Sequence, residues 1–184
     1  MMNDIKLAGA RTVLVPLGFD FFDRYFAYSS DVENTKLMCF LPCDRAECAA
    51  YLSEVERQWS LPPESQTLFE FAVLEKDSAE TKEKVLLGNI TLEIIDSASM
   101  TAEFGWILSK KYWHQGYMGE AAFLVKNFAK SLGVRKIIAH CDSENEPSYR
   151  LMERLGMRRI SVCGGRKNKG SDEERQECLY EMQI

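Results

Sequence analysis

The sequence predicts a mixed α/β protein that forms a single domain over residues 1–184. Its composition, 46% apolar and 28% charged residues in a chain of 184, is typical of a globular protein with one sizeable core. Runs of strand-like composition alternate with segments whose apolar residues recur at helical spacing. The predicted elements follow one another as β-α-α-β-β-β-α-β-α-β-β, which indicates one mixed sheet with helices packed against it.

The N-terminal third predicts one strand and two helices. The β-rich run at residues 11–17 ends near Pro16, because proline interrupts or borders a strand. An aromatic-rich segment at residues 19–28 predicts a short helix. A second helix begins at Asp44, since Asp44 and Glu47 have the spacing of a capping box. The apolar face of this second helix consists of Cys48, Leu52, Val55 and Trp59.

The middle of the chain predicts an antiparallel meander followed by a helix. Three strand-like runs at residues 67–74, 85–95 and 101–108 are separated by polar turns. The apolar spacing then becomes helical over residues 120–132, and Gly133 stands where a helix C-terminus favours glycine. This region therefore contributes three neighbouring strands and one amphipathic helix.

The last third predicts a buried strand, a short helix and a strand pair. Residues 136–141 form a mostly apolar run, and residues 147–155 form a helix whose first residue is a proline, which the first turn tolerates. The final strands cover residues 157–162 and 177–182. The charged segment between them, residues 164–175, is expected to be a solvated loop, as charge runs usually are.

The charge and hydropathy of the chain disfavour some classes of binding partner. The chain has 23 Lys and Arg against 28 Asp and Glu, a net charge of −5, which disfavours nucleic acid or an anionic membrane and favours a cationic partner. No apolar run reaches the roughly 18–20 residues of a membrane helix. The first residues lack the basic and apolar regions of a signal peptide. We therefore expect a cytoplasmic protein without a membrane partner.

The cysteines and histidines do not predict a metal site. Six cysteines and two histidines lack the close spacing of zinc ligands, so we expect no metal and scattered reduced thiols. His140 lies inside an apolar strand and is expected to be a core histidine with satisfied hydrogen bonds. His114 is expected to be a solvated turn residue, with contact to a phosphate as the alternative.

The most informative segment is the corner between the strand at 101–108 and the helix at 120–132. Gly116 and Gly119 lie at this corner, where residues without a Cβ let the backbone approach a ligand closely. A helix N-terminus also presents free N–H groups and the positive end of its dipole, which bind phosphate. A Gly-x-x-Gly pattern alone also occurs in plain tight turns. Neither the Rossmann fingerprint nor the P-loop pattern is met.

Three blocks of sequence place this corner in a family pattern. They are Thr101-Ala-Glu-Phe-Gly-Trp-Ile-Leu108, Tyr112-Trp-His-Gln-Gly-Tyr-Met-Gly-Glu-Ala121 and Asn145-Glu-Pro-Ser-Tyr-Arg-Leu-Met-Glu-Arg-Leu-Gly-Met157. In order and spacing they resemble the GNAT superfamily of acyl-CoA-dependent N-acyltransferases. They are most similar to its branch of bacterial ribosomal-protein N-terminal acetyltransferases, the RimJ/RimL type. With the flanking strands, the resemblance covers about residues 84–182.

The resemblance implies a GNAT-like fold and a place for the co-substrate. The family has a central seven-stranded, mostly antiparallel sheet flanked by about four helices, with its fourth and fifth strands splayed apart. Acetyl-CoA lies in that splay, and no metal takes part. By resemblance, the pantetheine arm contacts Phe104, Trp106, Ile107 and Leu108. The pyrophosphate rests on the amides of Gln115, Gly116, Tyr117, Met118, Gly119 and Glu120.

Two positions depart from the family pattern. Met118 is bulkier than the usual glycine or alanine of the phosphate loop, although its backbone N–H remains available. Met152 stands where many members carry a tyrosine that protonates the departing thiolate. In this chain that role must belong to another residue or be absent.

Acetyl transfer to an amine needs a group that takes a proton, because amines are mostly protonated at neutral pH. Glu103 is the first candidate base, since it lies on the strand beside the splay and matches a glutamate of the resembling branch. Glu93 on the neighbouring strand is the reserve. The alternative for Glu103 is a strand-end carboxylate paired with a lysine or arginine.

The third block supplies the candidate proton donor. The resemblance assigns Ser148 to protonating the thiolate, and Asn145 to holding the pantetheine or orienting a water. Both residue types also cap helices, which is the alternative role for this pair. Capping and catalysis are compatible.

The sequence thus predicts an acetyl-CoA-dependent N-acetyltransferase that acts on a primary amine in a ternary complex. A protein N-terminus is the favoured acceptor, and a polyamine, amino acid or aminoglycoside is the alternative. The resemblance implies that the acceptor site lies between two segments, residues 164–175 and the helical pair at 19–59. A non-catalytic acyl-CoA sensor is kept open by Met152, and a nucleic-acid module is disfavoured by the charge balance. A homodimer is an expectation from base rates.

Overall fold

Eight strands form one mixed sheet in residues 5–79 and 84–184, which the computed structural model describes. The strands are β1 (Leu7–Ala8), β2 (Thr12–Pro16), β3 (Leu68–Glu75), β4 (Leu86–Asp96), β5 (Thr101–Leu108), β6 (Lys136–Asp142), β7 (Arg158–Lys167) and β8 (Glu174–Gln183). The helices are α1 (Phe22–Ser29), α2 (Val32–Thr35), α3 (Arg45–Trp59), α4 (Tyr117–Ser131) and α5 (Glu146–Arg154). The strand order across the sheet is β1-β2-β3-β4-β5-β6-β8-β7. The predicted mixed α/β class is confirmed.

The N-terminal hairpin adds a strand to the seven that were expected. The two residues of β1 pair with Val13 and Leu14 of β2, and the Gly9 N–H donates to the Thr12 carbonyl at 2.8 Å. A two-residue strand has too little alternation to be identified from sequence. The one-turn helix α2 was missed in the same way, although Asp31 caps it by accepting hydrogen bonds from the N–H groups of Glu33 and Asn34.

The two long helices contact different faces of β3. The Glu70 carboxylate accepts a hydrogen bond from the Tyr51 hydroxyl of α3, whereas Phe69 and Phe71 pack edge-on against Phe128 of α4. Successive strand residues point to opposite faces, so Tyr51 and Phe128 lie on opposite sides of the sheet, and only Trp59 at the end of α3 also reaches the two phenylalanines among these contacts. None of the helices in the described ranges is long and apolar enough to cross a membrane.

The predicted start of the second long helix is confirmed. The Glu47 N–H donates to Asp44 Oδ1 at 2.8 Å, and the Asp44 N–H donates to Glu47 Oε2 at 2.8 Å, which completes the capping box. The four residues of the predicted apolar face are all buried. Packing of this amphipathic face gives α3 most of its stability, because isolated helices of this length are marginal in water.

A buried carboxylate holds α1 and α3 to the centre of the sheet. Glu70 accepts hydrogen bonds from Tyr51, from the Thr91 hydroxyl at 2.5 Å and from Asn89 Nδ2 at 2.7 Å. The Tyr28 hydroxyl of α1 donates to Asn89 Oδ1 at 2.6 Å. Burial raises the pKa of Glu70, and the three hydrogen bonds oppose that rise. The network fixes where α1 and α3 stand beside the site described below.

The cysteines differ from the expectation of six reduced thiols. Cys43 and Cys48 form a disulfide at the start of α3, with their Cα atoms 6.1 Å apart. Cys39, Cys141, Cys163 and Cys178 are free. The expectation is therefore wrong for one pair, which helix formation brings together although the two residues are five positions apart.

The segment expected to be a solvated loop is largely an extended hairpin. β7 continues to Lys167 and β8 begins at Glu174, and Arg166 pairs with Arg175 across the strands. Most of the segment is exposed, as expected, but it is strand rather than loop, and both arginine side chains are buried against Asp142 at the end of β6, a contact that sequence spacing does not reveal.

We predict that Gly88→Ala strongly destabilises the fold. A Cβ at this position of β4 would lie 2.2 Å from the carbonyl oxygen of Ile107, a backbone atom that cannot move aside. We expect a loss of about 2–3 kcal/mol in the free energy of unfolding by urea, as for other overpacked sites. Gly105→Ala on β5 is the matched control, because its Cβ would make ordinary contact with Thr91 at 3.6 Å. Equal stability of the two variants would contradict the prediction.

Candidate functional site

The centre of the sheet opens where β5 and β6 part. The two parallel strands pair from Thr101 with Lys136 to Phe104 with Ala139, and the pairing stops there. β5 continues to Leu108 with β4 as its partner on one side. The backbone groups of residues 105–108 on the β6 side therefore lack a partner strand, which is the splay that the family resemblance implies.

A cavity of about 590 Å³ leads from this splay to the start of α4. Its wall contains Trp106, Ile107 and Leu108 of β5, Gly116, Met118 and Gly119 of the corner, and Asn145 and Ser148 of the third block. Phe104, Gln115, Tyr117, Glu120 and Glu103 do not line it. The structure thus brings eight of the predicted site residues together around one cavity.

The corner itself has the form of an anion site. Gly116 has φ +80°, in the left-handed region that glycine adopts without strain, and α4 begins directly after it at Tyr117. The hydrogen bonds within the described ranges include none from the N–H groups of Tyr117, Met118 and Gly119. These groups fit a pyrophosphate at a helix N-terminus. The Glu120 N–H instead donates to the Gly116 carbonyl at 3.3 Å, so it is less available than the resemblance implies.

The Glu120 carboxylate is turned away from the corner toward the N-terminal hairpin. Its Oε1 accepts hydrogen bonds from the N–H groups of Arg11 and Thr12 at 2.9 Å and from the Thr12 hydroxyl at 2.8 Å. Partial burial acts to raise the pKa of Glu120, but these hydrogen bonds and the Arg11 charge outweigh it and lower that pKa. The negative charge is therefore held outside the anion site.

Arg11 is a site residue that sequence reasoning missed. Its guanidinium donates to the Gln115 carbonyl at 3.0 Å and lies 4.7 Å from the centre of the Tyr117 ring. This places a cation beside the predicted phosphate loop, a favourable position for binding an anion. The sequence pattern could not predict this contact, because about a hundred residues separate Arg11 from the loop.

Asn34 is a second missed residue, on the opposite wall of the cavity. Its Nδ2 donates to the Tyr28 carbonyl at 3.2 Å, whereas its Oδ1 is buried without a hydrogen-bond partner. Only 7% of the residue is exposed. A buried acceptor in the wall of a cavity fits an N–H group of a bound molecule, and the pantetheine arm of acetyl-CoA carries two amides. The capping residue Asp31 is the sequence signal that could have located this helix.

In the third sequence block, Asn145 has the helix-capping role that the sequence offered as the alternative to catalysis. Asn145 Oδ1 accepts a hydrogen bond from the Ser148 N–H at 3.3 Å and caps α5. The Ser148 side chain is half-buried at the cavity wall, while Met152 is buried in the core. Ser148 therefore lies at the cavity wall, and Met152 contributes packing.

Glu103 lies on the same face of the sheet as Glu70, the face that Tyr51 of α3 contacts. Its partner across β4 is Glu93, and its partner across β6 is Ile138. Burial raises the pKa of Glu103; the charge of His140 opposes this rise, and those of Glu93 and Glu177 add to it. A carboxylate whose pKa is raised is a stronger base once it is ionised, which suits it to take a proton from an amine.

His140 does not have the satisfied surroundings that were expected of it. The side chain is 32% exposed, and the buried Nδ1 atom makes no hydrogen bond. Its nearest charged neighbour is Glu177, whose Oε2 lies 3.3 Å from Nδ1. The prediction was wrong because the strand is apolar on one face only. His114, in contrast, is exposed in the loop with φ +59°, and it lines the cavity.

Asp142 joins three elements at the edge of the site. Its Oδ2 accepts hydrogen bonds from Arg175 Nε at 2.5 Å and Asn168 Nδ2 at 2.7 Å, and Arg166 Nε lies 3.9 Å from it. Its Oδ1 accepts from the Glu144 N–H at 2.9 Å. Burial acts to raise the pKa of Asp142, but Arg175 and the other donors outweigh it and hold that pKa below its usual value.

Comparison with known proteins identifies the family. The family model for the acetyltransferase (GNAT) domain matches residues 11–158. The chain belongs to the GNAT acetyltransferase family. It therefore carries an N-acetyltransferase domain, a class of enzyme that uses acetyl-CoA.

Two relatives and one solved structure illustrate the similarity. The N-acetyltransferase YnaD of Bacillus subtilis (strain 168) is 43% identical over 77 residues, which are 40% of this chain and 45% of that protein. The alpha/beta-tubulin-N-acetyltransferase 9 of Mus musculus is 26% identical over 87% of this chain and 67% of its own. The self-immunity acetyltransferase MccE, solved with acetyl-CoA and AMP, shares the fold with a TM-score of 0.76 at 15% identity, over 96% of this chain and 94% of that one.

Acetyl-CoA fits the residues that the structure provides. The open backbone of residues 105–108, the unpaired Asn34 Oδ1 and the free N–H groups at the start of α4 lie along one cavity. No group of three or more His, Cys, Asp or Glu within residues 5–79 and 84–184 is placed to hold a metal ion.

We predict that Asp142→Asn destabilises the protein at neutral pH by about 3 kcal/mol, because it leaves buried arginines without their carboxylate. A lowered pKa in the folded state means that Asp142 stabilises the fold above about pH 4, and that this contribution disappears as the pH falls further. Urea unfolding at pH 7 and at pH 3.5 measures the difference. A gap between wild type and variant that is as large at pH 3.5 as at pH 7 would contradict the assignment.

Proposed function

We propose that this protein transfers the acetyl group of acetyl-CoA to a primary amine by direct attack in a ternary complex. The observation that carries the proposal is the arrangement at the splay. The cofactor-sized cavity ends at β5, and Glu103 lies on that strand next to the point where β5 and β6 separate. Although Glu103 does not line the cavity, its place beside the splay supports its assignment as the base.

The chain's own residues divide the work between binding and proton transfer. The N–H groups of Tyr117, Met118 and Gly119, with Arg11 beside them, bind the pyrophosphate. Asn34 and the open edge of β5 hold the pantetheine arm so that the thioester lies in the splay. The amine forms a bond to the thioester carbon, the carbon–sulfur bond breaks, and Glu103 accepts a proton from the nitrogen. Ser148 donates a proton to the departing thiolate and regains one from water, and Glu103 releases the proton that it took up to water.

The acceptor we propose is a protein N-terminus. The three sequence blocks resemble the RimJ/RimL branch, and one relative is named for acetylation of a protein, tubulin. The carboxylates of Glu93, Glu103 and Glu177 lie on one face of the sheet and favour a cationic acceptor. The same charge favours a polyamine, which is the second candidate. We place the reaction in the cytoplasm.

The decisive experiment measures acetylated product by mass spectrometry, with acetyl-CoA and a panel of N-terminal peptides, polyamines, amino acids and aminoglycosides. Thiol reagents are unsuitable because Cys39 and Cys163 are exposed and would react. We expect turnover with peptides. Turnover with small amines alone would favour the second candidate. Binding of acetyl-CoA without turnover of any amine would favour a sensor, and absence of binding would overturn the proposal.

We predict that Glu103→Gln lowers kcat by about 10²–10⁴-fold without changing the affinity for acetyl-CoA, because it removes a positioned base. The wild-type rate should fall as the pH falls through the raised pKa of Glu103, since a protonated carboxyl accepts no proton. Ser148→Ala should cost less, because a thiolate is a tolerable leaving group. Glu64→Gln is the control, because it removes the same charge from an exposed residue. Full activity of Glu103→Gln would remove Glu103 from the mechanism.

We also propose that the protein forms a homodimer through its free edge strand. β7 ends the sheet, and its Ile160 and Val162 side chains are exposed. Sedimentation at micromolar concentration measures the mass in solution. We expect a dimer that Ile160→Lys converts to a monomer, and a monomeric wild type would dismiss this assembly.

A further inference from the structure

His140 occupies the first position of β6 beyond its pairing with β5. The last paired residue is Ala139, and Ile138 lies opposite Glu103. Since side chains alternate along a strand, His140 is on the same face as Ile138 and Glu103. The imidazole is therefore next to the candidate base, at the point where the splay begins.

The neighbour of His140 is itself held in place. Glu177 on β8 directs Oε2 toward His140 Nδ1 at 3.3 Å, while its Oε1 accepts a hydrogen bond from Arg166 Nη1 at 2.5 Å. The Arg166 side chain is only 7% exposed, and its Nη2 donates to the Leu37 carbonyl at 3.1 Å. Glu177 is the charged group nearest to Nδ1, although no hydrogen bond joins them in the structure, and it favours the tautomer with the proton on Nδ1 and a free lone pair on Nε2.

The proposed reaction needs more than one proton acceptor. An amine that arrives as an ammonium ion loses one proton before it attacks and a second one after the bond to the acetyl carbon has formed. The departing thiolate takes up one proton at most. Glu103 then holds the other proton and must release it before the next cycle, so a group beside it that leads this proton to water would speed turnover.

We propose that His140 and Glu177 form a proton relay behind Glu103. This inference rests on the proposed function. The amine nitrogen gives a proton to the Glu103 carboxylate, and Glu103 passes it to Nε2 of His140. The resulting imidazolium is held by the Glu177 carboxylate through Nδ1–H until water takes the proton. No bond other than those to hydrogen changes in the relay, and no oxidant or reductant is required.

The charged groups around the relay come from four strands. Glu93 of β4 lies across from Glu103 of β5, and Arg166 of β7 is paired with Glu177 of β8. The charges of Glu93, His140 and Glu177 all act on Glu103. The candidate base and the ring therefore share carboxylate neighbours on this face of the sheet.

The first arm of the test is independent of activity. The chain has only two histidines, so ¹⁵N spectra of the ring nitrogens give two sets of signals, and His140→Gln identifies which set belongs to His140. At pH 8 we expect the His140 proton on Nδ1 in the wild type, and a mixture of tautomers in Glu177→Met. Glu64→Met is the control. A ring that carries its proton on Nε2 in the wild type, or that is unaffected by Glu177→Met, would overturn the relay.

The second arm measures acetylation kinetics with the best amine from the panel. We expect His140→Gln to lower kcat by about 10–100-fold at pH 7 and to leave KM for acetyl-CoA unchanged. An active wild type with an unchanged kcat in His140→Gln would overturn the relay alone. A wild type that acetylates no amine would overturn the proposed function.

Discussion

The buried carboxylate of Asp142 is the constraint on which the site depends most. It is the last residue of β6, and its donors come from the β7–β8 hairpin and from the loop that leads into α5. The hairpin, once held there, reaches the segment after α2, where Arg166 donates to the Leu37 carbonyl and the Lys169 N–H donates to the Met38 carbonyl at 3.0 Å. Both walls of the cavity are thereby joined through one ion network. Each Asp142 oxygen has a donor in this network, which offsets the cost of burying its charge.

The same hairpin connects the fold to the chemistry. Arg166 contacts Asp142 with one side of its guanidinium and Glu177 with the other. Glu177 in turn faces His140, and the charges of both residues act on Glu103. A structural ion pair and the candidate acid–base groups therefore share one arginine, which explains why Arg166 and Arg175 are buried within a charged segment that is otherwise exposed.

Much of the fold, and about half of the site, could be predicted from the sequence. Local patterns were enough to predict α3, because its capping box and its apolar face lie in one continuous segment. They were also enough to predict the corner at Gly116, because it directly follows a strand. β1 and α2 were missed because two to four residues contain no readable period. Arg11, Asn34 and His140 were missed as site residues for a different reason. Their roles follow from strand pairing and helix packing between distant segments, and a single sequence records neither.

The turn at Gly9 has a consequence for the charge of the anion site. A Cβ on Gly9 would lie 2.1 Å from Glu120 Oε1, so a larger residue there would push this carboxylate out of its hydrogen bonds with Arg11 and Thr12. The displaced negative charge would stand one turn of helix from the N–H groups that suit a pyrophosphate, and would repel it. The absence of a side chain at Gly9 thus keeps the Glu120 charge away from the anion site, although more than a hundred residues separate Gly9 from that site.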